Sequence, residues 1–532
     1  MRDFTFVSRR SAVLARRGMV ATSQPLAAMA GLRALLAGGN AADAAVAAAA
    51  MLNVVEPFST GVGGDCFALV YEAKSGQVTA LNGSGRAPAA FTLEEARRLG
   101  LEEMPLTGPL TVTVPGTVSG WVALLERFGT MSLGECLAPA IATAEEGFPV
   151  SPVISSGWRG SAGKLVAEPD GARIYLPSPM PGDIHRQPEL ANTLRTVAEG
   201  GLDAFYGGRL GEQIASYVQS RGGYLTVGDL ASHTATWGTP VRSHYRDVEV
   251  LEHPPNGQGL AALVTLNILE GYDLAGMGYF DPQRWHLMIE ATRLGLADAL
   301  QFVADPVVVQ VPVAGLLSKA YAAGRRSLIH AGRALPLAVA GQPSHQETVY
   351  VTVADPQGNA VSFINSLFHY FGSGLVVPGT GICLQNRGAG FVLEPGHPNA
   401  LAGGKRPYHT IMPAMALRNG HLWLSFGSVG GFMQPQAQAQ ILVNMVDYGL
   451  DPQTALDAPR FRADQRCGPE VAFEDTVPVE TREALAAMGH SVQTETAFLP
   501  TYGGGQVIAF DPDRGVLWGG SDPRKDGCAL GF

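Results

Sequence analysis

The stretch NAADAAVAAAAMLN (40–53) restricts the fold more than any other part of this chain. Eight of its fourteen residues are alanine, the strongest helix former. Such a helix offers almost no large side chains, so it gains burial only by lying close against a flat surface such as a β-sheet. Its apolar run AAVAAAAML (44–52) has nine residues, well short of the roughly 20 that cross a bilayer. The preceding GLRALLAGGN predicts another helix stopped at Gly38-Gly39. Asn40 then caps the second helix, and Asp43 complements its positive end.

The partner surface is legible further on. CFALVYEAKSGQVTALNGSG predicts a hairpin, with strands at 66–72 and 77–82 around a Lys-Ser-Gly turn. Segments 115–150 and 190–220 read as helical, HPPNGQG (253–259) leads into a helix at 260–270, and 285–303 has helical periodicity. Residues 307–347 lose pattern. Strands are expected at 348–364, 374–384, 422–428, 506–510 and 516–520. This order predicts an α/β layered sandwich with mixed or antiparallel sheets.

Composition removes several function classes. Hydrophobic residues make up 46% of the 532 and charged residues 16%, enough for a large core. The net charge of −10, with basic pairs only at Arg9/Arg10 and Arg16/Arg17, argues against nucleic acid. No GxGxxG or Walker A motif supports a nucleotide. Five scattered cysteines without a CxxC, and twelve histidines without an HExxH, suggest no disulfide framework, metal or cofactor. Ser8-Arg9-Arg10 resembles a twin-arginine signal, but Arg16-Arg17 interrupts the apolar core that a signal needs. A cytoplasmic protein is expected.

One strand carries chemistry. HQETVYVTVADPQGNAVSFINS (345–366) opens with Thr348 directly after a loop of small residues. Threonine favours strands for ordinary reasons, and its hydroxyl is a poor nucleophile without a base. If the Glu347–Thr348 bond is cut, however, the new α-amino group titrates at about 7.7–8.0. Nucleophile and base then share one residue.

The surrounding blocks decide between these readings. GMVATSQPLAAMAG, GGNAADAAVAAAAMLNVVEPFSTGVGGDCFALVY, VPGTVSGWVALLERFG, APAIATAEEGFPV, IEATRLGLADALQFVADP, TVYVTVADPQGNAVSFINSLFHYFGSG, GSVGGFMQPQAQAQILVNMVDYGLDPQTALDAPRF and GGSDPRKDG occur in order. The chain so resembles the γ-glutamyltransferase superfamily along nearly its whole length. The resemblance implies a four-layer αββα N-terminal-nucleophile hydrolase sandwich formed by one domain, 1–532. It also implies autocleavage at Glu347–Thr348 into interwoven α (1–347) and β (348–532) fragments. Pairing into a dimer of heterodimers stays open.

By position, Thr348 matches the nucleophile and Ser366 the hydroxyl that supports its amine. Gly430 and Gly431 match the glycine pair whose N–H groups stabilise the oxyanion, a contribution of roughly 3–4 kcal/mol. His409 and Thr410 fall on two serines that position the glutamyl carboxylate. The departures concern the substrate. The family arginine that holds the glutamyl carboxylate is replaced by Ser84, with Arg86 two residues on. The family asparagine becomes Phe368, and the glutamine and aspartate that grip the α-amino group become Arg387 and Gly390. A cationic amine would therefore meet Arg387, while a carboxylate would suit it. The segment FVLEPGHPNALAGGKRP is shorter than the stretch that carries the lid loop in glutathione-cleaving members. These residues suggest a small carboxylate-bearing amide, as in the oxamate amidohydrolase branch. The rivals are a γ-glutamyl hydrolase or transferase, a glutaryl or β-lactam side-chain acylase, and an uncleaved binding protein.

Overall fold

A computed structural model of the chain describes residues 10–338, 347–464 and 466–532. Residues 339–346, in the loop before Thr348, lie outside these, as does the Ser8-Arg9 part of the twin-arginine-like motif.

The strands of the two large sheets are, in chain order, β1 (Val13–Ala15), β2 (Met19–Thr22), β3 (Asp65–Glu72), β4 (Gln77–Gly83), β5 (Thr236–Gly238), β6 (Val241–Tyr245), β7 (Val248–Glu252), β8 (Glu347–Ala354), β9 (Ala360–Phe368), β10 (Ala414–Arg418), β11 (His421–Val429), β12 (Gly504–Asp511), β13 (Val516–Ser521) and β14 (Cys528–Gly531). One sheet runs β1-β13-β12-β11-β10-β7-β6 and the other β14-β2-β8-β9-β3-β4-β5. Every pairing in both is antiparallel.

The alanine-rich segment is helix α2 (Ala41–Val55), following α1 (Pro25–Leu36). Every residue of α2 is buried. At its start Asn40 accepts from the Ala42 and Asp43 N–H groups, and Asp43 accepts from the Asn40 N–H, a reciprocal cap. With α3 (Thr117–Phe128) and α4 (Leu133–Glu146) it covers the outer face of the β8–β9 sheet. Helices α5 (Gly259–Leu269), α6 (Pro282–Phe302) and α7 (Met433–Val446) cover the other sheet. The four layers are therefore α, β, β and α.

Between the sheets the contacts are partly polar. Thr352 Oγ1 donates across the gap to Ser425 Oγ at 2.6 Å, and Tyr350 Oη and Ser362 Oγ, on adjacent strands of one sheet, lie 2.6 Å apart. Gly427 is required here, because a Cβ would stand 2.4 Å from the Tyr350 ring. Residues on either side of position 347 alternate as neighbours: β8 and β9 lie between β2 and β3.

Two expectations are corrected. The strand at 374–384 is two dipeptides, Val376–Val377 and Ile382–Cys383, because a turn at Gly379 and Gly381, both at positive φ, folds them onto each other. Within 307–347 the chain forms two short helices, Val313–Leu316 and Lys319–Arg326.

Candidate active site

The pairing of β8 with β9 slips where the chain reaches Thr348. Glu347 faces Phe368 and Val349 faces Asn365, so Thr348 opposes both Ser366 and Leu367. A bulge of this kind bends a strand and re-aims its side chains. Thr348 is 1% exposed. Its Oγ1 donates to Ser366 Oγ at 3.2 Å and accepts from Gln434 Nε2 at 3.3 Å. Ser366 Oγ also accepts from the Phe368 N–H at 2.8 Å. That N–H belongs to an aromatic residue at φ +82°, a strained conformation of the sort kept at working sites.

Gly430 and Gly431 join β11 to α7 with φ of +114° and +57°. A Cβ on Gly430 would approach Met433 Cβ to 3.1 Å. Neither glycine N–H has an acceptor among the described residues. Both precede the N-terminus of a 14-residue helix, where amide groups and the helix dipole favour negative charge. Gln434, which touches Thr348, is in that helix's first turn.

Arg387 lies fully buried beside this group. Its Nη1 donates to Thr410 Oγ1 at 2.8 Å, and its guanidinium carbon stands 4.1 Å from the centre of the Phe368 ring. On its far side Phe368 stacks against His369, with ring centres 4.5 Å apart. Arg387 Nε and Nη2 have no partner among the described residues. These two N–H groups form one edge of the guanidinium, the edge that meets a carboxylate side-on. Burial pushes Arg387 down to about 9, against the pull of Asp65, and it remains charged at neutral pH.

Asp65 is the nearby acid. Its Oδ1 accepts from the N–H groups of Gly85 (3.0 Å) and Gly116 (3.1 Å) and from Gln385 Nε2 (2.9 Å). His409 Nε2 bonds its Oδ2 at 3.1 Å. Burial raises Asp65 to about 6, with Arg387 the largest opposing influence. His409 is held well below its ordinary value by burial and then by Arg387, so it is neutral and donates from Nε2. Gln258 fastens the strap of chain 409–412 to the glycine pair: its Nε2 donates to the Thr410 and Gly431 carbonyls, and its N–H to the His409 carbonyl at 2.9 Å.

Thr348, Ser366, Phe368, Arg387, His409, Thr410, Gly430 and Gly431 are thus brought together. The interactions of Arg86 are with other groups. Its carbonyl accepts from the Val114 N–H, and its charge acts on Arg406 and His233. Two residues earlier, Ser84 Oγ donates to Asn82 Oδ1 at 2.7 Å and the Ser84 carbonyl accepts from Arg406 Nε at 2.9 Å. Gly390 contributes only a carbonyl, to Asn399 Nδ2 at 2.6 Å.

Asp65, Gln258, Arg406 and Gln434 were missed by sequence reasoning. A usable signal existed for Gln434, three residues after Gly431 at a helix start. For Asp65 it was an acid entering an apolar strand in GGDCF. A group that could hold a metal lies away from this site: His286, Glu290 and His490, with ligating atoms within 4.8 Å. There Arg293 already bonds Glu290 at 2.5 Å, and the two imidazoles bond each other at 2.9 Å.

Residues 27–532 match the gamma-glutamyltranspeptidase family. The glutathione hydrolase-like YwrD proenzyme of Bacillus subtilis (strain 168) is 38% identical over 98% of this chain and 99% of its own length. The oxamate amidohydrolase proenzyme of Klebsiella pneumoniae is 35% identical over 98% and 100%. Among solved structures, the cephalosporin acylase from Bacillus halodurans superposes with a TM-score of 0.94 at 44% identity, covering 100% of this chain and 99% of that one. These likenesses do not single out the oxamate branch.

Proposed function

Because the chain belongs to the gamma-glutamyltranspeptidase family of N-terminal-nucleophile amide hydrolases, we propose that it cuts itself between Glu347 and Thr348 and then hydrolyses amides whose acyl group ends in a carboxylate. The products of self-cleavage are fragments 1–347 and 348–532. They stay joined, since separation would strip β8 and β9 of their neighbours. No disulfide joins any of the five cysteines, which supports a reducing, cytoplasmic setting.

The chemistry follows from the group around Thr348. In the precursor, Oγ1 attacks the Glu347 carbonyl, and the peptide nitrogen gains a proton as the ester forms. Water hydrolyses that ester, leaving the Glu347 carboxylate and the Thr348 α-amine. In the mature protein this amine takes the Oγ1 proton, and Oγ1 attacks the substrate carbonyl. The Gly430 and Gly431 N–H groups receive the oxyanion. The leaving amine departs with the proton, and water releases the acid.

The open edge of Arg387 carries the substrate assignment. A buried guanidinium with two parallel, unpartnered N–H groups suits a carboxylate and repels an ammonium. Arg387 and Arg406 both act on Asp65, while Arg406 also feels Asp305 and Arg86. Burial holds His233 down to about 3 and His253 to about 4, so neither adds charge at neutral pH. A γ-glutamyl head group would need a free acid for its amine, and Asp65 already holds four donors. An oxamate-like or glutaryl acyl group fits equally well in charge.

The test is amine or ammonia release from monoamides of short dicarboxylic acids, beside a γ-glutamyl anilide and an amide without a carboxylate. The dicarboxylic monoamides should lead in kcat/KM by about tenfold or more. A lead for the γ-glutamyl anilide would defeat the substrate assignment. One uncut band on a denaturing gel and no turnover would favour a binding protein.

A further inference from the structure

Glutamines occupy every second position at the start of α7: Gln434, Gln436, Gln438 and Gln440, all between 0% and 4% exposed. Residues four apart share a helix face, so these side chains act as two pairs. Gln436 and Gln440 serve the strand Phe461–Ala463. Gln436 accepts from the Ala463 N–H at 2.8 Å and donates to its carbonyl at 3.3 Å. Gln440 does the same for Phe461, at 3.2 and 3.1 Å. Each amide uses both ends on one residue of that strand, and its Nε2 also donates to the carbonyl four residues back, of Phe432 and Gln436 respectively.

The other pair divides the work. Gln434 Oε1 accepts from the Met412 N–H at 3.1 Å, while Gln438 Nε2 donates to the Met412 carbonyl at 2.8 Å. Met412 therefore needs only the oxygen end of Gln434. This fixes the orientation of the amide, since a flip would set NH2 against N–H. The amino end is left to face Thr348 Oγ1 at 3.3 Å.

We propose that Gln434 is the hydrogen-bond donor that aligns the Thr348 hydroxyl oxygen for attack, in self-cleavage and in substrate turnover alike. The inference rests on Thr348 being the nucleophile. Oγ1 is held from two sides: its proton is directed at Ser366, and one lone pair is engaged by Gln434. As the proton leaves, charge grows on Oγ1 in a site buried from bulk solvent, where a fixed donor is worth most. Met412 also lies two residues from Thr410, the partner of Arg387. One strap thereby fixes both the donor on the nucleophile and the hydroxyl on the carboxylate anchor.

Gln434→Glu separates this role from a packing role. The carboxylate still accepts from the Met412 N–H but cannot donate to Oγ1. Self-cleavage rate and kcat should each fall about 100-fold, with KM changed by less than about threefold. The ratio of variant to wild-type kcat should climb as pH falls from about 7 to about 5, as the new carboxyl gains a proton. Gln434→Met, which neither donates nor accepts, should show the same loss without that recovery; it serves if Gln434→Glu does not fold. Gln438→Met breaks the other half of the clamp and should lower Tm while leaving kcat within about threefold. Wild-type rates in either Gln434 variant, or an equal kcat loss in Gln438→Met, would overturn the proposal. Thr348→Ala run in parallel keeps the two ideas apart: if that variant still cleaves itself and turns over, the nucleophile assignment itself has failed.

Discussion

Replacing Arg387 by methionine should cost activity without costing stability. The substitution keeps the length and apolar stem while removing the charge and its donors. In the free protein, Arg387 is a fully buried cation whose side chain has, among the described residues, a single hydrogen bond, to Thr410. Exchanging buried charge for packed apolar groups commonly gains about 1–4 kcal/mol. The stacking on Phe368 that is lost is worth about 1–2 kcal/mol, so the net change lies near zero or on the stabilising side. The pH sign agrees. Arg387 is held down to about 9, below its unfolded value, so the folded state binds its proton less tightly. Wild-type stability should recover as pH rises through about 9, and Arg387→Met should lack that recovery.

Activity should move the other way. Truncating one partner of a desolvated, hydrogen-bonded charge pair costs about 2–5 kcal/mol. A middle value of about 3 kcal/mol is about 150-fold in kcat/KM. The assay compares kcat/KM for a dicarboxylic monoamide and for the matching amide without the carboxylate, alongside thermal melts. The first should fall about 150-fold and the second much less. Equal losses on both amides, or a melting temperature that falls with activity, would refute the reasoning.

Two further predictions concern neighbouring groups. Burial raises Asp65 to about 6, so the folded state binds this proton more tightly than the unfolded chain; its contribution is fully present below about 4 and lost as pH rises to about 6, on the order of 3 kcal/mol. Urea melts across that range should show the slope, and Asp65→Asn should flatten it. Gly430→Ala forces a side chain onto φ +114°, 3.1 Å from Met433 Cβ. Stability should drop by about 1–3 kcal/mol in denaturant melts, and kcat should fall about 100-fold if the Gly430 N–H no longer reaches the oxyanion.

The fold was legible wherever local pattern and burial agree. Helix α2 announces itself through alanine, Asn40 and Asp43. The β3–β4 hairpin, and β8 with its turn into β9, show strand composition broken by turn residues. Helix α7 was not legible, because its first half buries four glutamines, and their partners at Met412, Phe461 and Ala463 are backbone groups. Strands β5, β6 and β7 are short and mixed in polarity and β10 has only five residues, and β7 and β10 are held by pairing across a long sequence separation. For the site, position alone marked Thr348, Ser366 and the glycine pair. The different surroundings of Arg387 and Arg86 were not readable, since they come from distant parts of the chain, Thr410 beside Arg387 and Arg406 near Arg86.

The most direct measurement is N-terminal sequencing with intact mass of purified, active protein. The account predicts two chains, one starting at Thr348 and carrying all turnover chemistry at its first residue. A single 532-residue chain that hydrolyses amides at full rate would contradict it.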